Sequence, residues 1–313
     1  MTHWTARDIP DLSGRRAIVT GANSGLGLQT ALELARHGAT VLMTSRNKTK
    51  GEDAVRRLRS ALPDADVDLR RLDLADLDSV RELAGRNEDP LDILVNNAGV
   101  MAIPRRQTFD GFEMQLGTNH LGHFALTGLL LPALLARPGA RVVTVSSALH
   151  RMGVMNFADL MGEASYGPWS AYAQSKLANL LFMRELDRRA RAAGLDLVSV
   201  AAHPGLASTN LQTVGPQMTR RRLTAAVMRA GSLVLGQSAA RGALPQLHAA
   251  TAPGVQGGDY YGPRGIGEQR GLPKKVPMSD QARDDRAAEL LWDESKRLTG
   301  VRYAPLCGEI RHG

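Results

Sequence analysis

Short apolar runs alternate with helix-like segments along roughly the first two hundred residues of this 313-residue chain. Strands that are separated by helices in this way pair in parallel, through right-handed crossovers that cover both faces of one sheet. The alternation therefore predicts an α/β fold with a doubly wound parallel sheet. The strands are predicted at 16–20, 39–44, 67–72, 91–95, 140–146 and 195–202, and the main helices at 28–37, 49–62, 76–84, 111–136 and 170–193.

Composition and the absence of breaks indicate one folding unit. Hydrophobic residues make up 43% of the chain and charged residues 22%, which excludes disordered and fibrous classes. No linker or internal repeat divides the sequence, so we predict a single domain over 1–313. Its parts are a cofactor-binding and catalytic core at 14–210, an apolar substrate lid at 206–236, and a C-terminal completion of the sheet at 237–313, with a strand at 259–261 and a helix at 280–297.

The positive charge of the chain does not by itself indicate a nucleic-acid partner. There are 39 Lys and Arg against 31 Asp and Glu, a formal net charge of +8. Many of the basic residues stand beside acids, and the run 220–222 is typical of a solvated face, although it could also contact phosphate. Aromatic residues are only 4% of the chain, too few for the stacking surface of a single-strand binder.

Cysteine content and hydropathy predict a cytoplasmic protein. The single cysteine, Cys307, excludes an intrachain disulfide and a multi-thiolate metal site, and it fits a reducing compartment. The longest apolar stretch, 124–136, is too short to span a bilayer and contains Pro132. Residues 1–11 hold no signal-peptide pattern. We therefore expect no membrane span and no bound metal.

A glycine-rich turn, TGANSGLG at 20–27, joins the first predicted strand to the first predicted helix. Glycines at such a junction permit a tight turn and let the backbone approach a pyrophosphate, which the N–H groups at the helix start then bind. An ordinary structural turn is an equally good interpretation of this segment taken alone.

Polar residues close three other predicted strands at the same edge of the sheet. Asn96-Asn97-Ala98-Gly99 follows the fourth strand, Asp73 the third, and Ser147 the fifth. Ligands bind at the carboxyl edge of doubly wound sheets, although Asn and Gly also form plain turns. Since Asp76 can already cap the next helix, we interpret Asp73 as facing the adenine of a nucleotide.

Tyr172 and Lys176 stand four residues apart on a predicted helix and so share one face of it. A free tyrosine has a pKa of about 10, and a nearby cation is expected to lower it enough for proton transfer near neutral pH. A lysine that merely extends to the surface is the alternative interpretation. Asn119, in the first half of a long helix, has poor helix propensity and is expected either to cap another group or to bend that helix towards a site.

Together these residues resemble the short-chain dehydrogenase/reductase family in identity, order and spacing. The motifs are TGANSGLG, Asp73-Leu74, NNAG, Asn119, Ser147 and Tyr172-x-x-x-Lys176. The resemblance is strong over 14–210. The segments NHLGHF at 119–124, SKLAN at 175–179, GDYYGP at 258–263 and AAELLWDESKRLTG at 287–300 extend it to the retinol-dehydrogenase-like branch, which has a Rossmann-type sheet.

The resemblance implies a role for each catalytic residue. Tyr172 would be the acid/base, Lys176 would lower its pKa and hold the nicotinamide ribose, and Ser147 would orient the substrate oxygen. Asn119 would hold a water of the proton relay. Ser146 is a rival to Ser147, which stands at the family position. The implied cofactor-binding residues are Gly21, Asn23, Ser24, Gly25, Leu26, Gly27, Asp73, Leu74, Asn97, Ala98, Gly99, Tyr172, Lys176, Pro204, Gly205 and Thr209.

The end of the second strand predicts NADP(H) as the preferred cofactor, with NAD(H) possible. Sites that prefer NAD usually place a carboxylate there, but this strand continues into Ser45-Arg46-Asn47, with no acid before Glu52. The guanidinium of Arg46 suits a 2′-phosphate, and Ser45 and Asn47 could add neutral donors. A solvent-facing Arg46 is the alternative.

We expect a small-molecule carbonyl or alcohol substrate of lipophilic character. The lid at 206–236 is rich in Leu, Val and Met, and Met152, Met155 and Trp169 could form the other wall, or these residues could simply pack the lid onto the core. His150 could also line this pocket, whereas His120 and His123 are interpreted as packing residues. A catalytically silent NADP(H) sensor on the same fold is the alternative function, and a homo-oligomer, dimer or tetramer, is possible.

Overall fold

The computed structural model describes residues 3–206 and 237–306. Within these ranges one sheet contains eight strands in the spatial order 3-2-1-4-5-6-7-8. The first seven pair in parallel and the eighth is antiparallel to the seventh. The strands are β1 (Arg16–Val19), β2 (Thr40–Ser45), β3 (Val67–Arg71), β4 (Ile93–Asn96), β5 (Ala140–Val145), β6 (Leu197–Ala202), β7 (Tyr260–Pro263) and β8 (Pro273–Lys275).

Helices cover both faces of this sheet, which confirms the predicted doubly wound architecture. Three of the predicted helices, 49–62, 76–84 and 170–193, are found to within two residues at each end. The helices are α1 (Gly25–Arg36), α2 (Lys48–Ala61), α3 (Leu77–Gly85), α4 (Met114–Leu116), α5 (Gly122–Leu129), α6 (Leu131–Leu135), α7 (Pro168–Ala192), α8 (Ala239–Thr251) and α9 (Asp285–Thr299).

The single helix predicted over 111–136 is wrong in detail. A π-helical segment, Gly117–Leu121, separates α4 from α5, and Pro132 lies in the first turn of α6. Proline has no N–H and disfavours the helical conformation in the residue before it, so a new helix starts there. The sequence analysis also did not predict α8, which carries Pro245 in its interior, nor the three-residue strand β8.

Alternate residues of each strand divide the core into two clusters, one on each face of the sheet. Ile18 packs with α3, α5, α7 and α9, whereas its neighbours Ala17 and Val19 pack with α1, α2 and α8. The first cluster has an aromatic centre in which Trp292 of α9 lies against Phe124, with ring centroids 5.2 Å apart. The C-terminal helix therefore packs against α5 and α7, through Phe124 and Phe182.

Charged residues and proline mark both edges of the sheet. The outer strand on one side, β3, has the sequence VDLRR, and the outer strand on the other side, β8, has the sequence PKK. Asp68 of β3 and both lysines of β8 are exposed. Among the helices of the described ranges, none is long and apolar enough to cross a membrane.

Candidate active site

The glycine-rich turn lies at the carboxyl end of β1 and leads directly into α1. Gly21 has φ of 65° and Gly25 has φ of 56°, a left-handed backbone region that favours glycine. Ser24 is the N-cap residue of α1, but its side chain makes no capping hydrogen bond. The first N–H groups of α1 are thus open to an anion at the positive end of the helix dipole.

Close backbone contacts hold this turn against the NNAG segment after β4. A Cβ on Gly27 would come within 2.6 Å of both the Gly21 carbonyl oxygen and Asn97 Nδ2. A Cβ on Gly21 would lie 2.9 Å from the Cβ of Ala98. Asn97 Nδ2 also donates to the carbonyl oxygen of Thr20 at 2.7 Å. The residues present fit a dinucleotide, since side chains at these glycines would close the approach to the backbone.

The hydroxyl of Thr20 ties these two segments to the helix that carries Asn119, a connection the sequence analysis missed. Its oxygen accepts hydrogen bonds from the N–H groups of Asn97 and Ala98, both at 2.9 Å. His123 Nδ1 lies 3.0 Å from the Asn119 carbonyl oxygen and must therefore carry the hydrogen. Burial lowers the pKa of His123 to about 4, so Nε2 of the neutral ring accepts from the Thr20 hydroxyl at 2.9 Å.

The cationic residue predicted for the 2′-phosphate, Arg46, follows β2 directly and is exposed. The expectation that Ser45 adds a free donor is wrong, because its buried hydroxyl donates to the Asn47 carbonyl oxygen at 2.9 Å. Asn47 caps α2, with Oδ1 accepting from the N–H of Lys50. Arg71, which the sequence analysis did not single out, is the register partner of Ser45 on β3 and is also exposed.

The adenine-side residues predicted after β3 are both buried. Asp73 Oδ1 accepts a hydrogen bond from the N–H of Ala75 at 3.1 Å, which forms a local turn. Leu74 packs closely against α5, because a Cβ on Gly122 would lie 2.4 Å from the Leu74 carbonyl oxygen. Asp76 caps α3 by accepting from the N–H groups of Asp78 and Ser79, as predicted.

Ser147 follows the carboxyl end of β5, and Tyr172 and Lys176 lie on α7, which packs beside it. The Tyr172 ring is 4% exposed and packs with Met101 and Ala102. Lys176 Nζ lies 5.8 Å from the centre of that ring and donates to the carbonyl oxygen of Val145 at 3.1 Å. The sheet and one helix therefore bring a phenol, a hydroxyl and an ammonium group into one pocket.

The two candidate serines are distinguished by their hydrogen bonds. The Ser146 hydroxyl is buried and donates to the carbonyl oxygen of Lys176 at 2.8 Å, so it holds β5 against α7. The Ser147 oxygen accepts from the N–H of Leu149 at 3.2 Å, and its hydroxyl hydrogen-bonds the Tyr172 phenol rather than a backbone carbonyl oxygen. This geometry supports Ser147 over Ser146.

Burial has the largest effect on the pKa of Tyr172. Burial raises that pKa to about 12, and the adjacent Ser147 hydroxyl opposes only part of the increase. Burial also lowers the pKa of Lys176 to about 8. Exclusion of water disfavours the phenolate, so the expectation of a Tyr172 pKa close to neutrality is wrong, and the stabilisation of the phenolate by Lys176 stays a prediction. At neutral pH the phenol keeps its proton.

Asn119 lies in the π-helical segment, which agrees with the expected distortion of its helix. Its Oδ1 accepts from the N–H of Val100 at 2.8 Å, and its Nδ2 donates to the Val100 carbonyl oxygen and to Ser175 Oγ, both at 2.9 Å. A Cβ on Gly99 would lie 2.9 Å from Oδ1. The side chain thus fixes the loop after β4, and its part in a proton relay stays a prediction.

The turn after β6 completes this edge of the site. Gly205 has φ of 64°, and the Pro204 carbonyl oxygen accepts a hydrogen bond from Gln237 Nε2 at 2.8 Å. Thr209, nearly all of the predicted lid at 206–236, the basic run 220–222 and Cys307 lie outside the described residues.

The predicted second wall of the substrate pocket is only partly present. Met152 and Trp169 are 74% and 47% exposed, whereas Met155 packs against the core. His150 is buried, with Nδ1 2.7 Å from the Ser147 carbonyl oxygen and Nε2 accepting from the N–H of Ser279, and its place in a substrate pocket stays a prediction. His120 is a packing residue, as predicted, with Nε2 2.8 Å from Ser295 Oγ.

Comparisons with known proteins agree with this arrangement. The family model for short chain dehydrogenases matches residues 15–219. Retinol dehydrogenase 12 of Homo sapiens is 40% identical over 297 residues, covering 93% of this chain and 88% of that protein.

Two solved structures extend the agreement to three dimensions. An uncharacterised protein from Mycobacterium Paratuberculosis is 46% identical with a TM-score of 0.80, over 96% of this chain and 99% of that one. A short chain dehydrogenase from Shigella flexneri, complexed with NADP, is 25% identical with a TM-score of 0.61, over 80% of this chain and 97% of that one. The chain therefore belongs to the short-chain dehydrogenase/reductase family and is an oxidoreductase of the kind that acts on CH–OH groups, similar to the retinol dehydrogenases.

Proposed function

We propose that this enzyme reduces lipophilic aldehydes or ketones and that it uses NADPH to do so. The observation that carries the direction is the burial of the Tyr172 phenol, which raises its pKa to about 12, beside the hydroxyl of Ser147. A group that holds its proton at neutral pH is suited to give that proton to a developing alkoxide. The reverse reaction would need the phenolate, which burial disfavours.

The chain's own residues supply binding, orientation and the proton. NADPH, when bound, supplies the hydride. The open N–H groups at the start of α1 would hold the pyrophosphate, and Lys176 would hold the nicotinamide ribose. Ser147 donates a hydrogen bond to the carbonyl oxygen of the substrate, and Tyr172 gives that oxygen its proton. Lys176, charged at neutral pH, stabilises negative charge on the phenol oxygen after the proton has left.

The preference for NADPH over NADH is supported by the residue that follows β2. Arg46 is exposed there and presents a permanently charged, planar group to the position of a 2′-phosphate. No carboxylate occurs in the sequence between Arg46 and Glu52 that could instead bind the ribose hydroxyls. The Shigella relative was solved in complex with NADP.

The lipophilic character of the substrate is supported by the residues around the phenol. Met101 and Ala102 pack on the Tyr172 ring, with Leu149 beside them. Met152 and Trp169 add exposed apolar surface. Burial of apolar substrate area against such residues contributes roughly 25 cal/mol per Å². The relatives named retinol dehydrogenases agree with an apolar substrate.

The test is a comparison of kcat/KM across cofactors and across aldehydes that differ only in chain length. We expect NADPH to exceed NADH, and kcat/KM to increase from propanal to decanal while glyceraldehyde is poor. At neutral pH, reduction of decanal should be faster than oxidation of decanol. A clear NADH preference, or equal rates for propanal and decanal, would contradict the proposal. Binding of NADPH without any turnover would instead support the regulatory alternative.

A further inference from the structure

The first residue after β6, His203, is buried and has both ring nitrogens engaged in hydrogen bonds. The N–H of Gly205 donates to His203 Nδ1 at 3.2 Å. Because a backbone N–H can only donate, Nδ1 carries no hydrogen, and the hydrogen of the ring is on Nε2. Nε2 therefore donates to Glu268 Oε2, 3.0 Å away. Space for the ring exists because residue 262 is glycine, whose Cβ would lie 2.1 Å from Nε2.

Glu268 is held in a backbone conformation that is unfavourable for a residue with a side chain. Its φ is 56°, in the left-handed region. The carboxylate accepts two hydrogen bonds from the guanidinium of Arg151, at 3.1 and 3.3 Å, in addition to the one from His203. These partners hold the pKa of Glu268 at about 2, so the carboxylate is charged under all ordinary conditions. Such strain persists only where surrounding contacts fix it.

The backbone beside Glu268 packs directly on the turn after β6. A Cβ on Gly205 would lie 2.4 Å from the Gln269 carbonyl oxygen and 2.8 Å from that of Glu268. The N–H of Leu206 donates to the same Gln269 oxygen at 2.8 Å. Any displacement of the Glu268 segment must therefore move the Pro204–Gly205 turn with it.

The other end of the network reaches the catalytic serine. Arg151 belongs to the short 3-10 helix Ala148–Met152, in which the Ser147 hydroxyl caps the N–H of Leu149. Arg151 also donates to the carbonyl oxygen of Pro277 at 2.9 Å, which fixes its orientation. A continuous path of hydrogen bonds thus leads from the Ser147 helix through Arg151, Glu268 and His203 to Gly205.

Resting on the proposed function, we propose that Glu268 is a positioning residue. Through His203 and Arg151 it fixes the Pro204–Gly205 turn, which the family resemblance assigns to cofactor binding, relative to Ser147, and in this way it would set where the nicotinamide lies against the substrate oxygen. Neither Glu268 nor Arg151 needs to touch the reacting atoms. A small misplacement of the two reactants is enough to lower the rate of transfer strongly.

Two substitutions of Glu268 test this inference. Glu268→Gly removes the carboxylate but accepts the left-handed backbone, and Glu268→Gln keeps the size without the charge. We expect both to lower kcat at least about tenfold with little change in the KM for decanal. Both should weaken NADPH binding by about tenfold and leave binding of 2′,5′-ADP, which lacks the nicotinamide, unchanged.

Two substitutions of His203 separate its hydrogen bond with Gly205 from its hydrogen bond with Glu268. His203→Asn keeps an acceptor for the Gly205 N–H, and His203→Gln keeps a donor for Glu268. Each should reproduce most of the Glu268→Gln effect on NADPH, and the double variant His203→Asn/Glu268→Gln should be no worse than the more severe single variant. As a matched control, Glu294→Gln breaks a surface ion pair with Arg297 on α9 and should change nothing.

The outcomes distinguish this inference from the proposed function. Equal losses of NADPH and 2′,5′-ADP affinity, additive effects in the double variant, or wild-type behaviour of Glu268→Gly would overturn the positioning role. If the unmodified enzyme binds NADPH but reduces no carbonyl, the proposed function fails. The affinities of the variants for NADPH and for 2′,5′-ADP still test the inference in that case. Failure of the unmodified enzyme to bind NADPH would overturn both.

Discussion

The two halves of the active site are constructed by different means. The cofactor half, formed by 20–27 and 97–99, depends on close backbone contacts in which glycine leaves no room for a Cβ. The catalytic half, formed around Ser147, Tyr172 and His203, depends on side-chain hydrogen bonds between residues far apart in the chain. Substitutions in the first half should therefore affect stability and cofactor binding, whereas those in the second should affect turnover with the fold intact.

The largest effect is expected for Tyr172→Phe in the catalytic half. The ring remains packed against Met101 and Ala102, and only the transferable proton is lost. General acid catalysis contributes about 10²- to 10⁴-fold, so kcat should fall by that factor. The NADPH Kd, from fluorescence titration, and the Tm should be nearly unchanged. A variant that retains normal turnover would remove Tyr172 from the mechanism.

A smaller effect is expected for Arg46→Asp, beside the cofactor half at the end of β2. Loss of a charge-assisted contact costs about 1.5–3 kcal/mol, so kcat/KM with NADPH should fall about ten- to a hundredfold while NADH improves relative to it. Arg57→Asp, on the exposed side of α2, makes the same change of charge and serves as the control. If both variants respond alike, Arg46 has no specific contact with the 2′-phosphate.

Gly27→Ala probes the backbone packing of the cofactor half. The added methyl group meets the Gly21 carbonyl oxygen, and the free energy of unfolding should decrease by about 1–3 kcal/mol, with weaker NADPH binding. Gly85→Ala, at the end of α3, meets nothing within 4 Å and should be neutral or slightly stabilising. Denaturant titration of both variants measures the difference, and equal unfolding energies would refute the close-packing argument.

The pH dependence of reduction tests the electrostatics of the catalytic half. Tyr172, with a pKa of about 12, keeps its proton from pH 6 to 10, whereas Lys176, with a pKa of about 8, loses its charge within that range. The kcat/KM for decanal should therefore be level below pH 8 and decrease above it, by up to about tenfold per unit. A profile that stays level to pH 10 would show that the charge on Lys176 is not required.

The cofactor half was largely predictable from the sequence because its determinants are local. The glycines at 21, 25 and 27 and the NNAG segment identify the backbone that the fold brings together. The effect of burial on the pKa of Tyr172 was not predictable, since the pattern shows a lysine one helical turn away but not the apolar residues that surround the phenol.

The network of the catalytic half was missed for a related reason. His203 precedes a recognised turn, and His123 follows Asn119 at helical spacing, which were usable signals. Glu268 is 65 residues from its partner His203 and lies in no helical or strand-like sequence pattern. Likewise α8, with a proline in its interior, and the short strand β8 have weak local signatures and depend on tertiary packing.

The composition of the two outer strands has a consequence for association between copies of this chain. An unpaired strand edge is a template on which another chain can add a strand, and charge and proline oppose that addition. β3 presents Asp68 and arginines at one edge, and β8 presents Pro273 and two lysines at the other. Two molecules that approach edge to edge must remove charged side chains from water, and at β8 they also meet a proline that has no N–H to donate. The same eight strands that form the catalytic platform thus resist continuous cross-strand aggregation.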